Sequence, residues 1–508
     1  MYCYLLVDEK LLEYPLISRF FQACQKGNLS QVMILTEEMK MQGTDLKVFY
    51  DNSGNTGLHL AAANCYKDVI EYLIDEKLPL DTLNKAKMSP LYVSAFKGYA
   101  ELVKIFLQNK ADSSLFHNLL YEGYIMKKVF HPAELKFVEK LEKSRGLNIL
   151  HLAAFHGYLD ILEMLYQHDS WNINAKTSNA TFNSRALANE TMLFLASSKG
   201  HEKVVKFLME EGADNQIHNI EGYFSIHIAS ENGHLEVLKE LLNDQDVDIN
   251  SQGYEDQSGT PLLLAAIDGH IDVVQYLIDN GALVNVVSKD DNQSPLQFAA
   301  LSGNHALVDV LLKNYSDLTL KTSGGLTAFH LASLGGHTNV LKILINYGGQ
   351  VLVNEKANVG VVGSLTPLHL SASKGHLDTV QFQVESGAEM EVKSVPRQNT
   401  PLHVSAENGH DSITEFPVKH GANIEACNAS GETPIWKAVH KGHKKTLKML
   451  IKAGANLSIC SPTKGYSLLH LCAQENHPDI LKILIENGCD INAKTLKNKS
   501  ALWAKVLI

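Results

Sequence analysis

The chain has 508 residues, a formal net charge of -11, and 45% apolar against 20% charged residues, the balance of an ordinary globular protein. Acidity spread without long single-sign runs argues against a nucleic-acid partner, which would favour a basic face. No window approaches the roughly 18 consecutive apolar residues of a membrane span, and the seven cysteines, with no CxxC pair among them, read as free thiols of a reducing, cytoplasmic compartment.

The N-terminus, MYCYLLVDEK, brings acids at Asp8 and Glu9 and no basic segment ahead of its apolar patch. A secretory signal is therefore not expected, and only export that needs no signal peptide stays open. Residues 1–19 read as a lead-in. From Phe20 to Glu37, FFQACQKGNLSQVMILTE is a weak helix-turn-helix unit that opens an N-terminal block of repeats at 20–110. Thr56 and Ser89 then start two copies of a tetrapeptide close to Thr-Pro-Leu-His, which returns mostly every 33 or 34 residues along the chain. A fixed period of this size marks a stacked array of short units, which has no core-size limit.

Between Ala111 and Gly146 the spacing stretches to 59 residues, so 111–146 is an insertion or a degenerate repeat, with helical character from Pro132 to Lys143. The main array, 147–508, follows with units starting near 148, 191, 224, 260, 294, 327, 366, 400, 433, 467 and 500. Two further stretches lengthen its loops: KTSNATFNSRALAN from Lys176, polar and turn-rich, and VNEKANVGVVGS from Val353, read as flexible. After Ser500 only ALWAKVLI remains, which leaves Leu502, Trp503, Val506, Leu507 and Ile508 without an obvious cover. The last repeat is read as truncated or incomplete, and self-association through this end is the alternative.

The unit from Thr366, TPLHLSASKGHLDTVQFQVESGAEMEV, shows the local physics. The Thr hydroxyl caps a first helix, and Pro stands in its first turn, where a missing N–H does no harm. Gly-His makes a corner, a second amphipathic helix follows, and a Gly ends it in a left-handed cap. Gly or Asn two residues ahead of the next Thr, as at Asn189 and Asn292, suits the positive φ of a tight turn.

Thr-Pro-Leu-His, Ala-Ala, Gly-His and Gly-Ala at constant offsets resemble the ankyrin-repeat family over roughly Phe20 to Ile508. The resemblance implies an all-α solenoid of about 13 stacked helix-turn-helix units, with β-turn finger loops beside a concave groove. It implies a non-enzymatic scaffold or adaptor that binds partner proteins. Arrays of this type also occur in host-directed effectors of intracellular microbes and as amino-terminal parts of larger channels, such as the transient-receptor-potential type, and of toxins.

Of the 23 histidines, fifteen occupy two fixed slots, so architecture accounts for them better than chemistry does. His59, His151, His227, His330, His369, His403 and His470 fill the Thr-Pro-Leu-His slot, where an imidazole can bridge the backbone of neighbouring units. His201, His234, His270, His337, His376, His410, His443 and His477 fill the Gly-His slot. No metal site, cofactor motif or catalytic set is read from the chain. Cys427 and Cys460, one repeat apart, read as buried small hydrophobes.

In the family the two residues before Gly-His face the groove. Ile267, Leu301 and Leu334 hold this place in three consecutive units, where polar residues would cost less. With Asp268, the finger residue Leu326, and Asp290 and Asp291 on the neighbouring finger, they form the candidate binding strip for an apolar, partly basic segment. Phe96 and Phe155, flanking the long insertion, are the other candidates. Gln383 replaces a Leu expected in a second helix, and Pro417 stands inside the equivalent helix of the next unit, which predicts a weak seam near 380–420.

Overall fold

The structure, a computed structural model, describes residues 15–113, 148–168, 171–177, 189–253, 259–359 and 363–500. It divides into two compact units, Met1–Pro261 and Leu262–Ile508. In the first, helix pairs run Pro15–Lys26 with Leu29–Met41, Gly57–Ala63 with Lys67–Asp75, and Pro90–Phe96 with Ala100–Gln108. Three more follow: Ile149–His156 with Leu159–His168, Met192–Lys199 with Glu202–Glu210, and Ser225–Glu231 with Leu235–Leu241. The first helix starts inside the stretch read as a lead-in.

Seven pairs follow, beginning with Pro261–Asp268 and Ile271–Asp279, which opens the second unit. Next come Pro295–Ser302 with His305–Lys313, Ala328–Gly335 with Thr338–Asn346, and Pro367–Lys374 with Leu377–Glu385. Pro401–Asn408 with Asp411–Lys419, Pro434–Lys441 with Lys444–Lys452, and Leu468–Gln474 with Pro478–Glu486 complete the series. Among the described residues these make thirteen pairs, numbered repeats 1 to 13 in chain order. The weak first unit is thus a full repeat. Most of the 111–146 insertion, the middle of the loop from Lys176, and Leu502, Trp503, Val506, Leu507 and Ile508 lie outside the described residues.

After repeat 1, the first helices are buried over most of their length and the second helices over one face. Ala328 to Ser333 are six consecutive buried residues. In the second helices burial falls at the third, fourth and seventh positions: Val273, Val274 and Leu277, then Leu307, Val308 and Leu311, then Val340, Leu341 and Leu344. That is helical periodicity, and each such aliphatic side chain contributes about 1.5–3 kcal/mol on burial.

The two histidine slots bolt successive repeats together. The Thr366 N–H donates to His369 Nδ1 at 3.3 Å, which leaves the ring proton on Nε2, and that nitrogen donates across to Asn399 O at 2.9 Å. His59 to Met88 O (2.8 Å), His330 to Glu355 O (3.0 Å), His403 to Glu432 O (3.0 Å) and His470 to Lys499 O (2.9 Å) repeat the bridge. Burial pushes the His151, His227, His330, His369 and His403 imidazoles down to about 4, so they stay neutral near pH 7.

The Gly-His histidines interlock the corners. Gly336 (φ 75°) lies so close to the next repeat's imidazole that a Cβ there would come within 2.5 Å of His376 Nδ1. His376 Nε2 donates to Leu334 O (3.1 Å) and His337 Nε2 to Leu301 O (3.0 Å).

Three expectations are corrected. The stretch from Val353, read as flexible, forms an antiparallel hairpin of β1 (Ala357–Val359) with β2 (Gly363–Leu365). Ser364 N–H donates to Val395 O at 2.7 Å and Val395 N–H to Ser364 O at 3.2 Å, so the hairpin is held by the next finger as well. Cys427 and Cys460 are exposed, because their place at the base of a finger points the thiol to solvent. Gln383 is no gap in the core: it is fully buried, its amide donates to Ser333 Oγ at 2.7 Å and its carbonyl accepts from Ser371 Oγ at 2.6 Å.

Candidate functional site

The groove side of the second unit is built by the last turn of each first helix. Ile267 is 41% exposed and Leu301 39%, in the same place on successive repeats, and Leu334 is half-buried in the next. The helices Pro295–Ser302 and Ala328–Gly335 pack side by side, so Leu301 and Leu334 sit on adjoining supports. Phe298, half-buried one turn earlier, adds to the apolar side, while Leu331 and Leu370, in the equivalent places of the next two repeats, are buried. Sequence reasoning missed Phe298. Its signal is the apolar residue directly after the Leu-His or Leu-Gln step, a position that shares the helix face of the residue three places on.

Acid rims this strip. Asp268 is exposed beside Ile267, and Asp290 is exposed on the finger between repeats 7 and 8. A hydrogen bond from Ser288 holds the Asp290 carboxyl below its usual range, and its oxygen also accepts the Asp291 N–H at 2.9 Å. Asp291 is half-buried and works mainly inside the protein: its carbonyl accepts Ser323 N–H at 2.8 Å, and its carboxylate accepts the Ser323 hydroxyl. That pair of bonds ties two fingers together and leaves Asp290 and Asp268 as the outward charges. Leu326 is half-buried, its carbonyl accepting from Gln297 Nε2 at 2.9 Å, so it supports the finger more than it projects from it.

Further along, the same face changes character. Repeat 11 offers Glu407 and Asn408, and repeat 12 offers His440 and Lys441. Lys437 reaches Glu432 at 2.8 Å, and His440 Nδ1 lies 3.7 Å from Glu475. In the second unit, the large apolar side chains at this place are therefore those of repeats 7 to 9.

Phe96 and Phe155 belong to the first unit, whereas the strip belongs to the second. Phe96, expected on the groove, is buried at 6% exposure and meets His156 edge-on at 5.6 Å between ring centroids. Phe155 is half-buried under the Lys199 ammonium, 4.7 Å from its ring centre. Both are packing residues of an aromatic cluster completed by Tyr158 stacked on His156.

Sequence reasoning also missed the side chains that set the fingers. Asn84 Oδ1 accepts the Met88 N–H at 3.0 Å, Thr322 Oγ1 accepts Leu326 N–H at 3.2 Å, and Asn428 Oδ1 accepts Glu432 N–H at 3.0 Å. An Asn, Thr or Ser about five residues before each repeat's opening Thr carries this signal. Among the described residues no group of three or more His, Cys, Asp or Glu is placed to hold a metal ion, and no helix is long and apolar enough to cross a membrane.

Within each unit, successive helix pairs joined through the same histidine and glycine slots define a repeat array. The chain belongs to the ankyrin-repeat family, whose model of three repeat copies matches residues 20–117, 114–219, 150–253, 226–322, 316–394, 349–426, 368–461 and 402–495. It is 28% identical over 303 residues to the ankyrin repeat and KH domain-containing protein mask-1 of Caenorhabditis elegans, which covers 56% of this chain and 11% of that protein. It is 26% identical over 215 residues to the human transient receptor potential cation channel subfamily A member 1, 41% of this chain and 18% of the channel. The chain thus matches less than a fifth of either relative's length. The human ASB11 ankyrin repeat domain superposes with a TM-score of 0.39 at 28% identity, over 45% of this chain and 96% of that domain.

Proposed function

We propose that this chain is a protein-interaction scaffold that docks an apolar, partly basic segment, such as an amphipathic helix, on the groove side of repeats 7 to 9. The observation that carries this reading is the run of Ile267, Leu301 and Leu334 in a position that later repeats give to Ser373, Glu407 and Gln474. Two large side chains left some 40% in water cost the free chain little, but they return apolar stabilisation once a partner covers them. Asp268 and Asp290 at the rim favour a basic partner and penalise an acidic one.

The test is fluorescence anisotropy with a labelled Leu/Lys amphipathic helix and a Leu/Glu helix of the same pattern. The Leu/Lys peptide is expected to bind, and the joint variant Ile267→Ser, Leu301→Asp and Leu334→Ser is expected to weaken it by about tenfold or more. Intact binding of the Leu/Lys peptide by the variant, or Leu/Glu binding that the variant weakens as much, refutes the reading.

A further inference from the structure

One second helix departs from the chain's acidic character. Lys444–Lys452, sequence KKTLKMLIK, carries four lysines and no acid. Its neighbours on either side, Asp411–Lys419 and Pro478–Glu486, each carry one lysine against two carboxylates. At about 100° per residue, Lys444, Lys445, Lys448 and Lys452 fall within about 100° of arc, opposite the buried Thr446, Leu447 and Leu450. All four are exposed. The arrangement is a basic stripe about 12 Å long on a single helix.

The nearby carboxylates do not neutralise it. Glu415 pairs with Lys419 at 2.8 Å, Glu486 with Lys482 at 4.0 Å, and Asp411 accepts the Thr446 hydroxyl at 2.6 Å. Asp479 takes Lys444 alone. Lys445, Lys448 and Lys452 have no ion-pair partner among the described residues. The field of Lys452 still reaches Glu415, whose carboxyl sits below its usual range first through Lys419 and then through Lys452.

The geometry points to a docking face for an acidic polypeptide segment, rich in Glu and Asp, along Lys445, Lys448 and Lys452. The width of the stripe chooses among anionic partners. Packed helices lie about 8–10 Å apart, and charges are screened beyond about 10 Å at ordinary ionic strength. A narrow strand of carboxylates feels the lysines and little else. An anionic membrane or a nucleic-acid duplex extends over the flanking helices and meets the carboxylates of a chain with net charge -11. Lysine suits the partner too, since its compact ammonium matches scattered carboxylates without the fixed fork of Arg. This site is on the second-helix side and is independent of the groove strip.

The full chain is titrated against a labelled polyglutamate peptide at low and at physiological salt, with phosphatidylserine vesicles and duplex DNA as parallel arms. Binding of the peptide that weakens with salt, and that falls about tenfold or more in K445E/K448E/K452E, supports the assignment. These side chains are exposed, and circular dichroism of the variant confirms that its fold is kept; the milder triple change to Gln serves if it is not. No peptide binding at low salt, peptide binding indifferent to the charge reversal, or lysine-dependent binding of vesicles or DNA stronger than that of the peptide would each overturn it.

Discussion

The histidine bridges are expected to make the second unit acid-labile. His330, His369 and His403 lie in the second unit, each with its pKa lowered to about 4 by burial, against 6.5 for an exposed imidazole. The folded state therefore binds fewer protons than the unfolded chain between these values. Stability is fully present above 6.5, falls as pH drops from 6.5 towards about 4, and has lost this contribution below that. At about pH 5 the loss is about 2 kcal/mol per imidazole, or about 6 kcal/mol for the three. A proton on Nδ1 would end the bond that this nitrogen accepts from the Thr N–H and leave it only the Thr hydroxyl, 2.7–2.8 Å away, as a partner. The chain supplies its own control. Gln297 fills the same slot in repeat 8, accepting Ser294 N–H at 2.7 Å and donating to Leu320 O and Leu326 O at 2.9 Å without a titrating group. A triple variant His330→Gln, His369→Gln and His403→Gln is expected to unfold in urea close to wild type at neutral pH, and to lose much less stability on acidification. If wild type and variant lose equal stability between neutral pH and about pH 5, the buried imidazoles are not the acid-labile element.

Gly303→Ala should destabilise the protein more than Gly281→Ala. Both sites have positive φ (76° and 95°), but a Cβ at Gly303 would meet His337 at 2.5 Å while Gly281 has nothing within 4 Å. Thermal melts should place the second near the conformational cost of about 1 kcal/mol and the first well beyond it. Gln383→Leu is expected to stabilise by about 1–3 kcal/mol, since Ser333 and Ser371 keep their bonds to Phe329 O and Leu368 O, and urea midpoints will show the sign. Pro417, buried inside Asp411–Lys419, leaves one helical hydrogen bond unmade, so Pro417→Leu should gain up to about 3 kcal/mol. Hydrogen exchange in the wild type should be faster across 380–420 than in the repeats before it, and uniform protection there would reject the idea of a soft seam.

What could be read in the sequence followed from how local the determinants are. The opening Thr, its His three places on, the corner Gly-His and the left-handed Gly act within a repeat or on the next one, so each leaves a mark at a fixed offset. The helix pairs that open near 56, 89, 148 and on to 467 were legible for this reason, while the unit read from 500 lies outside the described residues. Side chains whose fate depends on depth were not. Phe96 and Leu301 hold equivalent places in the pattern, yet Phe96 is buried against His156 and Leu301 is 39% exposed. Gln383 looked like a defect because its partners lie twelve and fifty residues away, Ser371 on the preceding helix and Ser333 in the repeat before. The hairpin at Ala357–Leu365 was hidden for a similar reason: Gly and Asn suggested freedom, while the register is fixed by Val395 on the next finger.

The two proposed surfaces bear on what a scaffold of this kind can do. Hydrogen bonds from the slot histidines go to backbone carbonyls, such as Leu301 O and Asn399 O, and so place no demand on the side chains of the residues they grip. Side chains facing outward are then free to differ from repeat to repeat without loss of the stack. In the second unit the apolar strip is carried by first helices and the lysine stripe by a second helix, and the two ask for opposite chemistry: one for apolar and basic residues, the other for acids. A single short segment cannot satisfy both. Occupancy of the strip should respond weakly to salt because its stabilisation is mainly apolar, whereas occupancy of the stripe should fall steeply with salt. If the two peptides bind the same molecule without competing and separate in this way on a salt titration, the chain can hold two partners at once, and mutual exclusion between them would reduce it to a single-site binder.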